Sequence, residues 1–122
     1  MKELMALAAM TMALSGNVLA HGDKPQHGGV VSTANDMSFE LVNKDGKATV
    51  YVKDHGKPVD TTGATGKLTV LNGTEKIEVP LESAGNNTLA TKEDAKLAKG
   101  SKAIAAVTFA DKKTVNVRFS VK

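Results

Sequence analysis

From residue 29 onward the chain alternates apolar or β-branched residues with polar ones at a period of two, and clusters of Gly, Asn, Asp and Pro interrupt the alternation. That period predicts strands over 29–32, 38–42, 48–53, 66–71, 76–81, 88–90, 103–109 and 114–121. In the last of these, Val115, Val117, Phe119 and Val121 fall on one face and Asn116, Arg118 and Ser120 on the other. One face is therefore buried and one is wet. Residues 43–47, with Asp45-Gly46 at the centre, predict a tight hairpin, and Asn72-Gly73 and residues 110–113 predict two more. The stretch 92–100 differs: its composition favours helix, Thr91 stands where a cap would be and Gly100 where a helix would stop. One or two helical turns crossing between sheets are expected there.

The first twenty residues follow another pattern. Lys2 supplies a positive start, residues 4–14 form an apolar run, and Val18-Leu19-Ala20 places small or aliphatic residues at a cleavage position. Met1 to Ala20 thus read as a secretory signal peptide, and the run is too short to span a bilayer. The expected organisation is a signal over 1–20 and a single domain over 21–122. About one hundred residues can bury roughly 60–70% of their unfolded surface without covalent staples. Short strands joined by tight turns at that length predict an all-β fold, an antiparallel β-sandwich of immunoglobulin-like or cupredoxin-like type with seven to eight strands. A small Greek-key barrel is the other solution.

Composition narrows the function. The chain has no cysteine, so no thiolate is available, and export to an oxidising periplasm is compatible with that absence. It is mildly basic, with a formal net charge of +3, and its lysines are scattered rather than clustered. With one tyrosine, Tyr51, and no tryptophan there is no aromatic platform for bases or sugar rings. Nucleic acid is not expected as a partner, and no membrane contact is expected once the signal is removed. Ser32, Ser38, Ser83, Ser101 and Ser120 sit in no nucleophile motif, and the chain does not read as an enzyme.

The specific chemistry lies in three histidines, each followed by glycine: His21-Gly22, His27-Gly28 and His55-Gly56. Glycine belongs to turns, which places these imidazoles on loops at strand ends rather than within the apolar alternation. Cleavage after Ala20 would leave His21 with a free α-amine, and that amine and its own Nδ1 can chelate a metal. Asp54, beside His55, is either a further ligand or the acceptor that orients an imidazole. Asp23 is an alternative carboxylate. His27 and His55 would each supply one imidazole, and if the first and third strands run antiparallel the two rings lie at the same end of the sheet. Nitrogen and carboxylate donors without sulfur suit copper(II), with zinc or nickel as substitutes. Copper(I) lacks soft ligands, since only Met37 remains after the signal.

An exported, cysteine-free β-sandwich opening on histidine, with Asp54 and His55 downstream, resembles the CopC-type periplasmic copper carriers. That resemblance implies copper(II) held by the amine and imidazole of His21 together with Asp54 and His55. The family separates its Asp and His by one residue, whereas here they are adjacent, and adjacent side chains on a regular strand point to opposite faces. The runs His27-Gly28-Gly29-Val30-Val31, Phe39-Glu40-Leu41-Val42, Asp54-His55-Gly56-Lys57-Pro58 and Gly63-Ala64-Thr65-Gly66-Lys67 also resemble small exported bacterial proteins associated with metal-efflux gene clusters. The expectation is a periplasmic carrier, buffer or sensor of a divalent metal, with a metal-efflux protein or another periplasmic protein as its partner. A copper-dependent oxidative polysaccharide-cleaving enzyme would need an aromatic surface that this chain lacks. The alternative is a metal-free adaptor or chaperone module that binds another protein by strand or loop contacts.

Overall fold

The computed structural model describes residues 24–121. The expected signal segment, its cleavage point, His21 and Asp23 lie outside the described residues. Nine strands form among the described residues: β1 Val30–Ala34, β2 Met37–Lys44, β3 Lys47–Asp54, β4 Lys57–Pro58, β5 Thr65–Asn72, β6 Glu75–Ser83, β7 Thr88–Ala90, β8 Lys102–Thr108 and β9 Thr114–Ser120. Each segment with a period of two is a strand, and β4 is an addition too short for any pattern to announce. No helix among the described residues is long and apolar enough to cross a membrane.

Every pairing is antiparallel along one path, β1-β2-β3-β7-β6-β5-β8-β9, with β4 added to the end of β3. The outermost strands of that path, β1 and β9, lie against each other, so the sheet rolls into a nearly closed barrel. The ladder is continuous where the sequence suggested two facing sheets. Three-residue β7 makes it so, pairing Leu89 with Val50 of β3 on one side and with Ser83 of β6 on the other. Thr61, fully buried between β4 and β5, fixes the same seam: its Oγ1 donates to the carbonyls of Asn86 and Thr88.

Alternation fills the interior. Phe39 of β2, Val50 and Val52 of β3, Leu68 of β5, Leu89 of β7 and Val107 of β8 are fully buried and form one cluster. Burial of each such side chain contributes about 1.5–3 kcal/mol relative to exposure. On β9 the pattern holds as expected, with Val115, Val117 and Phe119 inward.

The two ends of the barrel differ. At the end marked by the Asp45-Gly46 turn, residues 91–101 fold across the opening and insert Ala95 and Leu97 into the core. This is the stretch expected to be helical, and it is not. Its backbone groups are spent on the barrel instead: Ala95 N donates to Gly46 O at 2.8 Å and Gly100 N to Val121 O at 2.8 Å. Asn43 Nδ2 donates to Leu97 O at 3.3 Å. Thr91 caps no helix but extends the β3 ladder, taking Ala48 N on its Oγ1 at 3.0 Å. A helix this short gains too little from propensity to compete with those tertiary bonds. The opposite end, at Asp54, carries no such plug among the described residues.

Candidate functional site

Glu40 is a carboxylate inside an otherwise buried run of β2, on the outward face of the sheet. It is only 7% exposed because residues 24–29 cover it. Oε2 accepts His27 N at 2.8 Å and Gly29 N at 2.9 Å, and Oε1 accepts Gln26 N at 3.1 Å. Burial pushes the pKa of this carboxyl up, but the His27 ring and the backbone donors of Gly29, His27 and Gln26 outweigh it and hold Glu40 below the ordinary carboxylate value. Glu40 thus straps the segment before β1 onto the outside of the barrel.

Two glycines make the strap possible. Gly28 adopts φ +77°, and a Cβ on Gly29 would collide with the carbonyl oxygen of Leu41. The chain therefore reverses just before β1 and runs back over β2 and β3. His27 lies flat on Tyr51, with ring centroids 3.7 Å apart and planes 3° from parallel. Lys53 Nζ donates to Gln26 Oε1, and Lys24 lies in the depression formed by Ser38, Tyr51 and Lys53. The strap heads toward the end of β3.

That end carries Asp54, the last residue of β3, and the two-residue turn His55-Gly56 into β4. His55 has φ 53° and Gly56 φ 85°, the pair of left-handed residues of a type I′ hairpin. Asn35-Asp36 and Asp45-Gly46 turn the chain in the same way. The glycine after His55 is thus a hairpin requirement. Because the strand ends at Asp54, adjacency does not send the two side chains apart: His55 Nδ1 lies 2.5 Å from Asp54 Oδ1.

Both described histidines share one chemical arrangement. A carboxylate oxygen can only accept, so the Nδ1 of His27, 3.0 Å from Glu40 Oε1, carries the proton, and the same holds for His55 against Asp54. In the neutral ring the lone pair is then on Nε2. This is the usual way in which a carboxylate presents an imidazole to a metal. The pairs differ in exposure: the His27 and Glu40 side chains are 38% and 8% exposed, those of His55 and Asp54 80% and 54%.

The imidazoles of His27 and His55 remain separate. Tyr51, under His27, is three strand residues from Asp54, roughly 10 Å at strand rise, and His55 lies beyond it in the turn. The expectation that they share one end of the sheet assumed antiparallel first and third strands. Both strands pair antiparallel with β2 and so run in the same direction. Only the reversal at Gly28-Gly29 brings His27 back toward the middle of β3. Among the described residues no three His, Cys, Asp or Glu side chains form a group able to hold a metal ion.

Glu40 was not anticipated as part of the site. Its signal was an acidic residue inside Phe39-Glu40-Leu41-Val42, a buried charge that must be paired to persist. No family model matches the sequence, and no match was found among curated proteins or among solved structures.

Proposed function

We propose that this is an exported binding protein for a divalent transition metal, copper(II) foremost, working as a carrier, buffer or sensor in metal resistance rather than as a catalyst. The supporting observation is that both histidine rings are held through Nδ1 by carboxylates while the strap leads back toward His55. In this reading His21, freed by signal cleavage in the periplasm, supplies its amine and imidazole. Three residues beyond Lys24 can reach at most about 10 Å, and Lys24 lies beside Lys53, two residues from His55. His55 Nε2 is then the third donor and Asp54 orients it. His27 Nε2 is the alternative donor, and Asp23 an additional carboxylate. Such a protein would stand beside the CopC-type carriers in its site, and its nearly closed antiparallel barrel beside the cupredoxin-like and immunoglobulin-like sandwiches in fold class.

The test is a copper(II) titration of signal-cleaved protein, repeated with one extra residue before His21 and with His55→Ala or His27→Ala. Extension and His55→Ala should each weaken binding by about tenfold or more, equivalent to about 1.4 kcal/mol. Tyr51 is the only tyrosine and there is no tryptophan, so fluorescence reports the position of the ion. Strong quenching abolished by His27→Ala would move the ion to His27. Saturable binding indifferent to extension and to both alanines would overturn the site, and no binding would favour the adaptor reading. Of the adaptor's two modes, loop contacts suit the molecule better than strand addition, because β1 and β9 face each other.

A further inference from the structure

The open end of the barrel is a cleft of about 440 Å³, within the size range of ligand pockets. Its floor is apolar. Met37, Val59 and Phe109 are only half buried there, beside buried Val115, although all of them abut the core cluster. Its rim carries Asp54, Asp60 and Asp111, with Lys113 the one cation among the described residues that line it. An acidic mouth on a chain of net charge +3 is a local feature, not a reflection of composition. The cleft continues past Val59 and Asp60 into a second, polar depression of about 560 Å³ that includes Pro58, Thr62, Asn86 and Asn87. The whole is a trough rather than a hole.

We propose that this trough docks an extended segment of a partner protein in which an apolar side chain neighbours lysine or arginine. The apolar side chain covers Met37, Val59 and Phe109, the cation meets Asp60 and Asp111, and the amide side chain of Asn86 faces the backbone of the segment. Charge complementarity selects a basic segment over an acidic one, and the continuous trough suits an extended chain better than a compact cation. The carboxylates are held in place without the ligand. Asp60 Oδ1 accepts Thr62 N at 2.9 Å and Thr62 Oγ1 at 2.6 Å, and Asp111 Oδ1 accepts Lys113 N at 3.1 Å. The bonds from Thr62 keep Asp60 below its ordinary carboxylate value, so it is ionised at neutral pH. The proposal shares Asp54 with the metal reading but does not rest on it.

The probe is a capped, fluorescein-labelled octapeptide alternating leucine and lysine, titrated into signal-cleaved protein in EDTA, so that failure of copper binding has no bearing on the result. A leucine–glutamate octapeptide and a glycine–lysine octapeptide are the controls. The leucine–lysine peptide should bind saturably, and each control at least about tenfold more weakly. Asp60→Asn with Asp111→Asn keeps the oxygens that bond the loops and should weaken binding about tenfold, as should Phe109→Ala. Amide shifts on binding should centre on residues 58–62 and 109–113. Equal binding of the glutamate peptide, binding unaffected by the double variant, or shifts centred on another face would overturn the proposal.

Discussion

The two ends of this barrel are built from the same hairpin chemistry and finished differently. At one end Ala95 and Leu97 plug the opening, and the plug is stitched to the Asp45-Gly46 turn and to Val121 by backbone bonds. At the other, Met37, Val59 and Phe109 stay half exposed beside Asp54 and the His55-Gly56 turn. A closed end contributes stability and an open end leaves groups free to bind. Candidate chemistry accordingly collects where the packing stops.

Matched substitutions would sharpen or break that contrast. The largest effect is expected from the plug: Leu97→Ala should cost about 3 kcal/mol in urea unfolding, while Phe109→Ala at the open end should cost about 1 kcal/mol. Equal losses would mean that the open end is as integral to the core as the closed one. The turns offer a finer comparison. Both Gly46 and Gly56 have positive φ, but a Cβ on Gly46 would collide with Asp94 Oδ1, whereas nothing lies within 4 Å of one on Gly56. Gly46→Ala should therefore cost about 2 kcal/mol and Gly56→Ala about 1 kcal/mol, the latter from backbone conformation alone.

The smallest effect concerns the strap that runs between the ends. Glu40→Gln keeps an acceptor but loses the charge, and should cost about 1 kcal/mol at pH 7. Because the folded-state value of Glu40 lies below the ordinary 4.5, its contribution is complete above that pH and disappears as pH falls through the folded value. Wild type and Glu40→Gln should then unfold at different urea midpoints at pH 7 and converge in strong acid. A gap that persists unchanged in acid would show that the strap does not depend on the carboxylate charge.

The site was half legible in the residues. The glycine following each described histidine did place both rings on loops, His27 before β1 and His55 in the turn after β3. The carboxylate beside His55 did become its hydrogen-bond partner. Glu40 escaped because its partners are backbone donors eleven to fourteen residues away, which no local spacing reveals. The helical composition of residues 92–100 misled for a related reason: propensity is local, and the carbonyl of Gly46 and the gap filled by Leu97 are not.

What the sequence determined by itself was the set of strands and turns, since a period of two and left-handed turn residues act within a few positions of the chain. Only the tertiary structure decided that the strands close into one continuous sheet, that the first and third run in the same direction, and that the reversal at Gly28-Gly29 lays His27 on Tyr51. Those outcomes depend on which distant backbone groups find each other. Hydrogen bonding between strands is chemically alike along every strand, so the choice of partners is made by packing of the whole core.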